Sequence, residues 1–77
     1  MNMATFPSPL VGFIKSRRQQ AGLTQQALAL KAGVGIRFIR DLEQGKASLR
    51  LDKVNQILSL FGHEVGPIRR DANSSSG

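Results

Sequence analysis

The chain has 77 residues, 40% of them apolar and 21% charged, which is enough for one small soluble domain and too little for a second core. It contains no cysteine, and this excludes a disulfide framework and any cysteine-based zinc site. Eleven lysines and arginines against five acidic residues leave a formal charge of +6 and a pI near 11.3, a balance that favours a polyanionic partner. A domain of this size buries only about 60% of the surface its unfolded chain exposes, so oligomerisation is the expected source of extra stability. No apolar run approaches the roughly 20 residues of a membrane span. Residues 1–9 lack the basic start and apolar stretch of a signal peptide, so the expected location is the cytoplasm.

Residues 1–7 carry no sustained period and are expected to form a flexible N-terminal segment. Ser8 followed by Pro9 is a helix-start signal: serine accepts from a free backbone amide, and proline has no donor to orphan. Leu10, Phe13, Ile14 and Arg17 then recur at helical spacing, with Gly22 as the stop. Thr24 offers an N-cap hydroxyl to a second helix, residues 25–32, whose Leu28, Ala29 and Ala32 form a narrow apolar stripe ending at Gly33. A third helix is expected over residues 36–44. Ile39, Leu42 and the stem of Glu43 share one of its faces, Arg37, Asp41 and Gln44 the other, with Arg40 and Ile36 on one flank and Phe38 on the opposite one.

Beyond Gly45 and the polar connection 46–50, Leu51, Val54, Ile57, Leu58 and Phe61 mark a fourth helix, with Asp52 near its start and Gly62 past its end. Residues 63–68 are short, interrupted by glycine and proline, and alternate loosely around Val65 and Ile68. A strand there would have no neighbour in its own chain and would pair with a second copy or a partner. The residues from 69 to 77 are polar and expected to be a disordered tail. The expected fold class is therefore all-α, a compact unit of four to five short helices over residues 8–68, with one C-terminal strand if a dimer supplies its mate.

The informative feature is the pair of short helices over residues 25–44. Ala29 is small where the two helices cross, Gly33 supplies a positive backbone torsion in the turn, and Val34, Ile39 and Leu42 pin the second helix. This is the helix-turn-helix pattern, and GLTQQALALKAGVGIRFIRDLEQGK resembles the Xre/Cro-type, lambda-repressor-like helix-turn-helix family across roughly residues 10–62. That resemblance implies a repressor binding double-stranded DNA. Within the family, GKASLRLDKVNQILSLFGHEVGPI is most similar to the HipB-type antitoxins, through Gly45, Leu51, Asp52, Val54, Leu58, Phe61, Gly62 and the apolar segment ending at Ile68. The closer resemblance implies a homodimer, a strand paired across its two-fold axis, repression of its own operon, and a HipA-like kinase-fold toxin as partner. The alternative is a stand-alone Xre-type regulator without a toxin. The family pattern also implies a structural ion pair between Arg18 and Glu43, with a phosphate contact as the competing role for Arg18.

In a helix-turn-helix the early residues of the second helix reach base edges, which makes Ile36, Arg37 and Arg40 the candidates for readout in the major groove. Arginine suits guanine, whose O6 and N7 accept both guanidinium donors, and Ile36 suits a thymine methyl. Asp41 either orients Arg37 through an i, i+4 ion pair or accepts from a cytosine amine. Thr24, Gln25, Phe38, Lys46 and Ser48 are the candidates for the DNA backbone, with packing on helix 2 as the other role for Phe38. Leu60, Phe61, Val65 and Ile68 are expected at the dimer interface. A toxin would hold the polar side near Asp52, Asn55 and Gln56, or the tails. His63 is the only histidine and lacks companions for a metal, and no nucleophile-base pair, phosphate loop or carboxylate pair is present. Neither a cofactor nor an enzymatic activity is expected.

Overall fold

A computed structural model describes residues 9–46 and 48–69, which form four helices: α1 Pro9–Gln20, α2 Gln25–Ala32, α3 Ile36–Glu43 and α4 Leu51–Ser59. The expected Ser8 cap, the segment 1–7 and the tail from residue 70 lie outside the described residues. Pro9 opens α1, where its missing N–H costs no hydrogen bond. Thr24 caps α2 by accepting the Ala27 amide on its hydroxyl oxygen at 3.0 Å. Gln44 acts as the cap of α3 rather than its last residue, one position earlier than the sequence pattern implies.

The turn between α2 and α3 depends on Gly33. Its φ of 76° is left-handed, and its N–H donates to the Ala29 and Leu30 carbonyls at 3.0 and 3.3 Å. A Cβ at this position would meet only the Gln56 side-chain nitrogen at 3.5 Å, an ordinary contact. Gly33→Ala should therefore cost about 1 kcal/mol of backbone strain and no steric penalty. A thermal melt should show a fall of about 5 °C with the transition still cooperative. An unchanged melt would mean that the left-handed turn does not govern stability here.

Ile14, Leu28, Ile39, Leu42 and Ile57 are fully buried, and Val11, Ala29, Ala32, Val54 and Leu58 complete the core. α2 packs on α3, α1 on α3, and α2 on α4, so every helix contributes to one cluster. Ala29 and Ala32 give α2 a thin inner face, which allows close packing on both its neighbours. The apolar stripe expected from Leu51 to Phe61 is shorter in the structure. Leu51 is 58% exposed at the first position of α4, and Phe61 lies beyond the end of that helix, partly buried against the core.

Among the described residues there is no strand. Residues 63–69 run without regular structure and are held by their own chain. The His63 amide donates to the Leu58 carbonyl at 3.0 Å, and the Val65 amide donates to Asn55 Oδ1 at 2.7 Å. The His63 ring lies 4.6 Å from that of Phe13, tilted by 53°, which closes this segment over α1. No helix among the described residues is long and apolar enough to cross a membrane.

Candidate nucleic-acid interface

The two helices that carry the candidate interface are locked by a polar cluster at their ends. Arg18 presents its guanidinium edge to Glu43, with Nε 2.7 Å from Oε2 and Nη2 3.1 Å from Oε1. Its third donor, Nη1, reaches the Leu23 carbonyl at 2.8 Å. Gln25 adds a side-chain N–H to Glu43 Oε1 at 3.1 Å. The Arg18 and Glu43 side chains are only 13% and 5% exposed, so the cluster joins the end of α1, the start of α2 and the end of α3 with little solvent between them. Burial pushes the Glu43 carboxyl up, but hydrogen bonds from Arg18 and Gln25 and the charges of Arg18 and Lys15 outweigh it, holding the carboxyl below its ordinary value.

On this support α3 exposes Arg37 and Arg40, and neither side chain is tied to another among the described residues. Ile36 is partly buried and touches the core cluster, so only part of its side chain is presented for base contact. Phe38 is likewise partly buried and packed against the core cluster. The i, i+4 pair considered between Arg37 and Asp41 does not form. Asp41 instead faces Lys46, 3.9 Å away, because the Lys46 amide bonds the Asp41 carbonyl at 3.1 Å and brings its side chain back over the helix end. Among the described residues Arg37 is thereby left without a carboxylate partner and keeps its donors free.

The flanking candidates divide into two groups. Thr24, Lys46 and Ser48 are exposed, and the Thr24 hydroxyl hydrogen remains a donor while its oxygen accepts from Ala27. Gln25 differs from expectation, since its side chain turns inward to Glu43 and leaves mainly backbone amides at the start of α2 for a phosphate. Gly35 caps α3 without a side-chain hydrogen bond. The expected dimer residues Leu60, Val65 and Ile68 are 42%, 37% and 91% exposed, whereas Phe61 rests on the core.

The sequence pattern gives no sign of two residues that position this unit. Gln56 donates from its amide to the Ala32 carbonyl at 3.1 Å and the Gly33 carbonyl at 3.4 Å, binding α4 to the turn that launches α3. Asn55 holds the C-terminal segment through Val65. Apolar periodicity does not register such amides. The one local signal is a helix end at Ala32 and Gly33, whose last carbonyls need donors from elsewhere in the fold.

Residues 14–65 match the helix-turn-helix family model, and the chain belongs to that family. Membership makes α2 and α3 a DNA-binding unit. The chain is also similar to the uncharacterized HTH-type transcriptional regulator y4mF of Sinorhizobium fredii (strain NBRC 101917 / NGR234). The two are 41% identical over 59 residues, which cover 77% of this chain and 78% of that protein.

Proposed function

We propose that the protein is a dimeric, sequence-specific transcriptional repressor that inserts α3 into the major groove of a pseudo-palindromic operator upstream of its own gene. The observation that carries this is a pair of exposed arginines, Arg37 and Arg40, on a helix whose ends are fixed by the Arg18–Glu43–Gln25 cluster and the Gln56 amide. Such a helix fixes the points from which both side chains leave the backbone, as base readout requires. Thr24, Lys46 and Ser48 meet the DNA backbone on either side, and Leu60, Phe61, Val65 and Ile68 meet a second copy. The protein acts by binding rather than by catalysis, in the cytoplasm and on the bacterial nucleoid.

The resemblance to HipB-type antitoxins extends this role to neutralising a kinase-fold toxin encoded beside it. Asn55 and Gln56 spend side-chain hydrogen bonds on the fold, and Asp52 is paired with Arg50 at 2.7 Å, so this polar side of α4 offers a toxin less than its composition implies. The tails are then the toxin-binding segments. Binding to upstream DNA and to random DNA of equal length across a salt series tests the proposal. A preference of about 10³ or more, with protection of two half-sites, supports it. Equal binding that weakens together with salt would overturn it. Co-expression with the neighbouring reading frame tests the toxin: a stable complex supports an antitoxin, and its absence leaves a stand-alone regulator.

A further inference from the structure

Arg17 sits over two aromatic rings, with its guanidinium carbon 5.3 Å from the Phe13 centroid and 5.8 Å from that of Phe61. Its Nε is buried and has no hydrogen-bond acceptor among the described residues. Beside it opens a recess of about 430 Å³, which Arg17 lines together with Gln20, Ala21, Leu60 and Phe61. The carboxylates show the complementary imbalance. Glu43 is paired with Arg18, Asp52 with Arg50 and Asp41 with Lys46, so among the described residues only Glu64 has no cation. Glu64 is exposed and follows His63, whose ring touches the same Phe13 that Arg17 covers. Arg17 and Leu60 line the first recess, while Glu64, Val65 and Ile68 line a second one together with Phe13, the ring that Arg17 covers, so Phe13 joins the two.

We infer that the surface over these two recesses receives a second copy of the chain and that Glu64 of each copy enters the recess beside Arg17 of the other. The pairing presupposes the dimer proposed above and specifies its register. A two-fold axis sets residue i against j and j against i, so one pairing rule satisfies both cations and both carboxylates at once. An arginine already seated over aromatic rings is weakly hydrated and rotationally restricted, and it loses little more when a carboxylate closes on it. The bond formed is charge-assisted and directional, so it fixes how the apolar faces meet, a task that exposed leucine and isoleucine side chains cannot perform alone.

Sedimentation equilibrium on the full chain tests this with Arg17→Glu and Glu64→Arg, each checked for helical content by circular dichroism. Alone, each variant sets like charges opposite one another at both pair positions, and its dimer should weaken by about tenfold or more. Mixed in equal amounts, the two variants bring opposite charges together at both positions, and the heterodimer should recover to within about threefold of wild type. A pairing within one chain could not be rescued by mixing. If each variant dimerises like wild type, or the mixture is no tighter than its components, the pairing is wrong while the dimer stands. If the wild-type chain is a monomer at concentrations that bind DNA, the dimer fails and the pairing fails with it. Should Arg17→Glu not fold, Arg17→Gln and Glu64→Gln replace the charge swaps in a double-mutant cycle. Non-additive effects on dimerisation support the pair, and additive ones overturn it.

Discussion

Arg18→Ala is expected to lower the midpoint of thermal unfolding by about 15 °C. The substitution strips Glu43 of both guanidinium bonds, at 2.7 and 3.1 Å, at a carboxylate that is only 5% exposed in the intact pair. Removing one partner of a buried pair costs about 3 kcal/mol or more, and a domain this small shifts its midpoint by roughly 5 °C for each kcal/mol. The Leu23 carbonyl loses its donor as well. Replacing both members, Arg18→Met with Glu43→Leu, removes the orphaned charge and should recover most of the loss. A fall of less than about 3 °C in the single variant would show that solvent reaches the pair and screens it.

The same cluster sets an acid limit. The Glu43 carboxyl is held below its unfolded value, so the unfolded chain binds more protons and stability rises with pH across that interval. The contribution is complete above the unfolded value and disappears as pH falls through the folded one. Wild type should therefore lose stability on acidification more steeply than the Arg18→Met, Glu43→Leu double variant. Parallel denaturant titrations from neutral pH into the acid range measure the difference, and superimposable pH profiles would contradict it.

At the DNA face, Arg37→Ala should weaken operator binding by about thirtyfold, the equivalent of about 2 kcal/mol for one bidentate guanine contact. Random DNA should lose far less, since only one charge near the phosphates is removed. Arg37→Lys should fail to restore the operator, because an ammonium cannot reproduce the guanidinium fork. Lys46→Ala is the contrasting case. Its bridge to Asp41 is long, 3.9 Å, between side chains 58% and 34% exposed, and contributes little to the fold. Removing it should weaken operator and random DNA alike and reduce the slope of log K against log salt by about one. Equal losses on both DNAs from the Arg37 and Lys46 changes would mean that α3 does not read bases.

Much of the fold is legible in the residue order. Gly22, Gly33, Gly45 and Gly62, read as helix stops, all have positive φ, and Thr24 caps α2. Ile14, Leu28, Ile39, Leu42 and Ile57 are found where helical spacing places them. What periodicity does not encode is the choice a polar side chain makes among partners brought near by folding. Asp41 selects Lys46 because the chain bends back after α3, and Gln25 selects Glu43 because α1 delivers Arg18 to the same spot. The Arg17–Phe61, Gln56–Ala32 and Asn55–Val65 contacts follow the same rule, since each exists only once a residue outside the helix concerned has been brought to it by folding. The Arg18–Glu43 contact spans 25 positions, and helical patterning holds no information at that range. Family resemblance supplies it.

The Gln56 amide also defines how much of this protein can be transplanted. Grafted onto another scaffold, residues 25–44 would carry every side chain proposed to face the bases but leave the carbonyls of Ala32 and Gly33 without their donor. The smallest portable reading head therefore extends from α1 through α4, since Glu43 needs Arg18 as much as the turn needs Gln56. Altering operator preference by exchanging single side chains on α3 respects that boundary, whereas swapping the two-helix cassette would release the turn that aims it.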